Sequence, residues 1–167
     1  MNKYKVFKDD LPNVKNVNSE NKKLNFVSQI HSSGCFIACA AMLSGKSYEE
    51  VFKILHPKRS IYDIPSNAFP TRRNMRAGLT VPQAIAILPK LGLKAKPTNI
   101  RDIQSIRKAG KNALMIVRWL GTRDGHGFVY DSNRNWFLDP NYSYQTADRF
   151  HYNNVVGAEI EKVLLIN

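Results

Sequence analysis

The chain has 167 residues, 43% of them hydrophobic, a size and composition that suit one ordinary globular domain with a filled core. It contains no run of about 18 apolar residues to span a bilayer, no apolar leader with a cleavage site near Met1, and only two cysteines, Cys35 and Cys39, too few and too local to staple a small secreted fold. Twenty-five basic against 13 acidic residues give a formal charge of +12, which attracts nucleic acid, anionic membrane surfaces and acidic proteins alike and does not choose among them. The expectation is a basic protein made in the cytoplasm with reduced thiols, whether it stays there or is delivered to another cell as an effector.

Residues 1–23 are polar, carry six lysines and read as an extended or poorly ordered arm, leaving 24–167 as the domain. The run Phe36 to Leu43 (FIACAAML) is apolar on every side and predicts a helix buried all round, opened by Ser32, Ser33 and Gly34. Ser47 and Glu50 have capping-box spacing for a second helix running to about Leu55, with Tyr48, Val51, Phe52 and Leu55 on its core face. Residues 56–78 hold three prolines and five Lys or Arg against one Asp. A connection of that length without periodicity is either a basic lid contacting substrate, RNA or another polyanion, or a flexible insertion.

A second box, Thr80 and Gln83, opens a third helix through Leu91, with Gly92 as its stop and Pro89 tightening or kinking its last turn. Asn99 and Asp102 are candidate caps for a short fourth helix carrying Ile100, Ile103 and Ile106 and ending before Gly110. From Ala113 onward the pattern changes: Ala113 to Trp119, Gly127 to Tyr130, Trp136 to Leu138 and Val155 to Ile166 are rich in branched and aromatic residues and read as strands. Helices first and strands second predict an α+β domain, the helical half packed against a carboxyl-terminal antiparallel sheet.

The chemistry centres on Cys35. At the first turn of a helix, the partial positive charge of the amino end favours a thiolate, and a histidine partner strengthens the effect. Of the four histidines, His126 lies between Gly125 and Gly127 at the mouth of a strand, where small neighbours leave the ring accessible. Residues 131–135 are turn formers and suggest a hairpin in which Tyr130 faces Trp136, His126 faces Pro140 and Gly127 faces Asp139. That register sets Asp139 within one position of His126, close enough to orient the imidazole. Nucleophile, base and orienter together are the parts of acyl-transfer catalysis. Cys39, one turn inside the helix, reads as packing. His31, Cys35 and Cys39 are spaced by four, but Ser32 to Gly34 interrupt any common helical face and no fourth ligand follows, so no metal site is expected. His56 and His151 read as surface residues, and Trp136 as either a core residue or a shield over the His126–Asp139 hydrogen bond.

Gln29-x5-Cys35 at the head of an apolar helix, GHGFVY around His126, and a strand ending Leu138-Asp139-Pro140 resemble the Gln, Cys, His and Asp-Pro signature of the papain-like superfamily, and within it the C39-like peptidases. The resemblance implies a papain-like α+β fold with a cleft between helices and sheet, hydrolysis of a peptide or related amide, and no metal or organic cofactor. It also implies that the side-chain amide of Gln29 joins the backbone N–H of Cys35 in binding the oxyanion, a contribution of about 3 kcal/mol to the barrier. The chain departs from those relatives in flanking its cysteine with Gly34 and Phe36, and a phenylalanine there is expected to narrow the cleft. Three functions follow as expectations: a cysteine peptidase or amidase acting on protein or peptide, as processing enzyme, effector or toxin; a papain-fold ribonuclease toxin using the basic surface; and an inactive papain-like binding module.

Overall fold

The computed structural model describes residues 24–64, 79–119, 125–141 and 158–167. The expectations for the 1–23 arm, for the basic stretch from 65 to 78 and for His151 lie outside the described residues.

The apolar run forms helix α1 (Cys35–Ser44), with every residue from Cys35 to Leu43 buried. Helix α2 (Tyr48–Leu55) opens on the expected box: Ser47 Oγ accepts from Glu50 N at 3.1 Å, and Glu50 Oε2 accepts from Ser47 N at 2.7 Å. Its Tyr48, Val51 and Phe52 are buried, as the spacing predicts. A short 3-10 turn, Ile61–Asp63, follows. Helix α3 (Val81–Ile87) begins at Thr80, whose N–H donates to Gln83 Oε1 at 2.9 Å, and tightens at Pro89 into a 3-10 turn over Leu88–Leu91. The tightening follows from proline's missing N–H and its ring, which do not fit a continuing α-helix.

Strand β1 (Ala95–Thr98) is an element the sequence did not announce. With Lys96 and Pro97 exposed and only four residues, it has no hydrophobic alternation to read. Helix α4 (Ile103–Ala109) is capped by Asp102, whose Oδ1 accepts from Ser105 N at 2.8 Å, while Asn99 and Ile100 precede it. Strands β2 (Ala113–Trp119), β3 (Gly125–Asp131), β4 (Trp136–Leu138) and β5 (Ala158–Ile166) complete one antiparallel sheet in the order β1-β5-β2-β3-β4. The architecture is thus α+β, with four α-helices and five antiparallel strands among the described residues.

Strand alternation distributes the core over both faces of the sheet. Leu114, Ile116, Val129, Leu138 and Leu164 join the α1, α2 and α3 residues on one side. Met115, Val117, Phe128, Tyr130, Phe137 and Val163 pack with Ile106 of α4 on the other. Both faces of the sheet are apolar, so both need a cover. Each large side chain buried this way contributes about 1.5–3 kcal/mol relative to exposure.

Candidate active site

The site forms where α1 begins against β3. Residues 31–34 turn into the helix, with Gly34 N donating to His31 O at 2.9 Å and Ala38 N closing the first helical bond to Gly34 O at 3.1 Å. Cys35 is therefore the first helical residue, and helix geometry leaves its backbone N–H without an intrahelical acceptor. Its side chain is only 7% exposed and unoxidised. What brings α1 down on β3 is Gly127, whose missing side chain lets the Phe36 ring and the Cys39 sulfur lie against the strand.

His126 is on β3 beside that contact. Its Nε2 lies 2.8 Å from Asp139 Oδ1, and the two side chains are 12% and 9% exposed. The Cys35 thiol lies near enough to the same ring to raise its pKa. With Nε2 taken by the carboxylate, the ring nitrogen left for the sulfur is Nδ1. Asp139 Oδ1 also accepts from Asn141 N at 2.9 Å, which fixes the carboxylate. The edge of Phe128 meets the imidazole at right angles, ring centres 4.7 Å apart.

The hairpin register differs from the expected one by a residue. Asp131 pairs with Trp136, Tyr130 with Phe137 and Val129 with Leu138, so the ladder, continued, sets Asp139 opposite Phe128 instead of Gly127. The difference decides the site. Opposite Gly127, Asp139 would share that glycine's face, away from a neighbour one residue along; opposite Phe128 it lies on the face of His126, a diagonal pair two positions apart.

Burial by itself pulls His126 down. The hydrogen bond to Asp139 and the nearby Cys35 thiol, with the charges of both, outweigh it and raise the histidine to about 9. At neutral pH the ring is then an imidazolium, the form that donates a proton. Cys39 has the opposite character: its thiol is buried, and desolvation, followed by the charges of Cys35 and Asp139, pushes it up. It is packing, not chemistry.

Gln29 is held next to this group by its backbone, its N–H donating to Pro140 O at 2.8 Å. Its side-chain Nε2 donates to His31 O at 3.2 Å and Ser32 O at 3.1 Å, so both amide hydrogens are engaged by the turn that leads to Cys35. Its Oε1 is buried with no partner among the described residues. Phe36 does not have the role expected for it: it is 5% exposed and lies under β3 against Gly127, because it follows Cys35 on the helix by one residue and so points to a different side. Trp136 stacks on Arg134, whose guanidinium is 4.5 Å from the ring centre, and the aromatic neighbour of His126 is Phe128. The i, i+2 spacing of His126 and Phe128 on a strand was the available signal for that contact.

His31 belongs to a separate cluster. It is buried between the Tyr48 hydroxyl, 2.9 Å from Nδ1, and Ile61 O, 2.9 Å from Nε2, and it stacks on Phe52. Among the described residues, no three His, Cys, Asp or Glu side chains are grouped to hold a metal ion. His56 is half-buried against Phe52, ring centres 4.7 Å apart, where the sequence suggested a surface residue. Among the described residues no helix is long and apolar enough to cross a membrane.

No family model matches the chain, and no curated protein is significantly similar to it.

Proposed function

We propose that the chain is a papain-like, C39-like cysteine hydrolase that cleaves a peptide or isopeptide-type amide through Cys35, His126 and Asp139. One observation carries the reading: a single imidazole hydrogen-bonded to a carboxylate, with the thiol that opens a buried helix near enough to raise its pKa. In the first step the Cys35 sulfur, its proton on His126, attacks the carbonyl carbon and the carbonyl π electrons move to oxygen. The Cys35 backbone N–H is the first donor to that oxyanion. Gln29 supplies the second by exchanging one of its turn carbonyls for it. Collapse breaks the C–N bond, the leaving amine takes the proton from His126, and a thioester remains on Cys35. Water then attacks the thioester with His126 as base, releasing the acid and regenerating the thiol. Asp139 holds the ring in register and stabilises its charged form throughout. Cleavage of a peptide library by the wild-type chain and not by Cys35→Ala is the expected result; equal products from both proteins would overturn it.

A second reading, contact with RNA or another polyanion, has its own observation. Between residues 90 and 111, Lys90, Lys94, Lys96, Arg101, Lys108 and Lys111 are exposed. The lone acidic residue of that stretch, Asp102, is occupied in capping α4. Lys94 and Lys96 stand at the β1 end of the sheet, whereas His126 and Asp139 belong to the β3–β4 side. The reading is of polyanion contact through Lys94 and Lys96, beside the expectation for the basic residues 56–78, of which 65–78 lie outside the described residues.

A further inference from the structure

The nucleophile's turn is held from below by a buried pair that the proposed reaction does not use. Tyr48 comes from α2 and His31 from the turn itself, and both are almost fully buried. His31 Nε2 faces the carbonyl of Ile61 at 2.9 Å. A carbonyl only accepts, so Nε2 carries hydrogen, and in the neutral ring Nδ1 accepts from the Tyr48 hydroxyl at 2.9 Å. The backbone of His31 and Ile30 runs close beside the same phenol oxygen. Burial pushes the Tyr48 phenol up, which keeps its proton in place.

That oxygen also stands against Gly34. A Cβ on Gly34 would lie 2.0 Å from Tyr48 Oη, 3.0 Å from its Cζ and 3.1 Å from His31 O. No side chain fits there, so glycine is required by the approach of the hydroxyl. The carbonyl of His31 in turn receives Gly34 N and Gln29 Nε2. One phenol oxygen is therefore bonded to the His31 ring and seated on Gly34, the residue before Cys35, while the same turn holds the Gln29 amide.

Resting on the hydrolase reading above, we propose that Tyr48, oriented by His31, is a positioning residue: its hydroxyl sets the Gly34–Cys35 step and so aims the Cys35 sulfur at His126. Tyr48 touches neither substrate nor the reacting atoms; it acts through the turn. An ordinary core tyrosine would be felt in stability alone, whereas this one is felt in the reactivity of a thiol on another element.

The test is iodoacetamide modification of Cys35 as a function of pH, followed by peptide mass mapping, in the full chain and in Tyr48→Phe, with circular dichroism on each. Wild-type Cys35 is expected to react near pH 6, and Tyr48→Phe to react at least about tenfold more slowly there, its profile moved toward that of an ordinary thiol, while the fold is retained. If wild-type Cys35 is itself unreactive near pH 6, the hydrolase reading fails. If it is reactive and Tyr48→Phe matches it, the positioning role fails and the reading above survives. Gly34→Ala gives an independent arm should Tyr48→Phe not fold. It is expected to slow Cys35 by a similar factor, and unchanged reactivity would overturn the proposal. Where both variants fold, adding Tyr48→Phe removes the contact at 2.0 Å and is expected to restore part of the rate lost to Gly34→Ala. An equal loss from Gly34→Ala in both backgrounds would overturn it as well.

Discussion

Gly127 and Phe36 meet so closely that a Cβ on the glycine would stand 2.7 Å from Cδ1 and 2.8 Å from Cε1 of the ring, with the Cys39 sulfur at 3.2 Å. This contact sets the distance between the helix that carries Cys35 and the strand that carries His126. Gly127→Ala is therefore expected to cost about 1–3 kcal/mol of stability from overpacking. It should also lower the rate of hydrolysis by about a hundredfold, since a displacement near 1 Å is enough for that. Urea unfolding and kcat on one peptide substrate check the two together. A stable, fully active Gly127→Ala would show that the helix can shift without moving the sulfur.

The two thiols should behave as different kinds of residue. Cys35→Ala is expected to abolish hydrolysis while leaving the unfolding midpoint within about 1 kcal/mol of wild type, since the change removes one sulfur at the edge of the core. Cys39→Ala should keep the activity and lose stability, by about 1–2 kcal/mol, because its sulfur fills the space under Gly127. Activity surviving in Cys35→Ala and lost in Cys39→Ala would reverse the assignment. Equal, sluggish alkylation of both thiols in the wild type would favour an inactive binding module.

The elevated His126 makes stability depend on pH with a definite sign. The group binds its proton more tightly folded, at about 9, than unfolded, at its ordinary 6.5. Its contribution is fully present below about 6.5 and is lost as pH rises through about 9, on the order of 3 kcal/mol across that window. Asp139→Asn removes the carboxylate's share and should flatten the decline. Urea unfolding at pH 6, 7.5 and 9 in both proteins measures it. A wild-type curve that does not fall between pH 6.5 and 9 would contradict the hydrogen-bonded histidine.

How far the sequence reached can be judged at particular residues. The boxes at Ser47–Glu50 and Thr80–Gln83 were legible because capping is local chemistry written within four residues. Cys35, His126 and Asp139 stood out because their residue types and settings limit what they can do, and the fold brings them together. The hairpin register was off by one because Asp131 looks like a loop residue and instead pairs within β3 with its carboxylate buried. The direction of Phe36 was not legible, since which side of α1 meets β3 depends on the whole sheet. The His31–Tyr48 pair joins residues 17 apart and had no local signature.

Asp131 also fixes the register on which the site depends. Its Oδ2 accepts from Arg134 Nε at 2.6 Å and from Leu24 N at 3.3 Å, and its Oδ1 accepts from Asn133 N at 3.0 Å. Asp131→Ala would leave the partly buried Arg134 cation and the Leu24 amide without this acceptor, at a cost of about 3 kcal/mol. Asp131→Asn keeps one acceptor oxygen, enough for Asn133 N but not for Leu24 N as well, and should cost less. Because a slip of one residue moves Asp139 off the face of His126, Asp131→Ala should also lower activity more than its residual folded fraction explains. Activity that simply tracks the folded fraction in urea would separate the turn from the site.

The basic flank predicts a binding behaviour independent of the thiol. Each cation that contacts a phosphate displaces condensed counterions, so the logarithm of affinity falls linearly with the logarithm of salt, with a slope of about 0.7 per contact on a single strand. If the exposed cations between Lys90 and Lys111 are the contact surface, single-stranded RNA should bind in low salt and be released as salt rises. Lys94→Gln with Lys96→Gln should then reduce the slope by roughly 1.4. Cys35→Ala should leave binding unchanged, because β1 and the β3–β4 hairpin lie toward opposite ends of the sheet. RNA binding lost in Cys35→Ala but indifferent to the two lysines would instead locate the polyanion at the thiol and favour the ribonuclease reading. Absence of binding in low salt would make the +12 charge a property of a solvated surface.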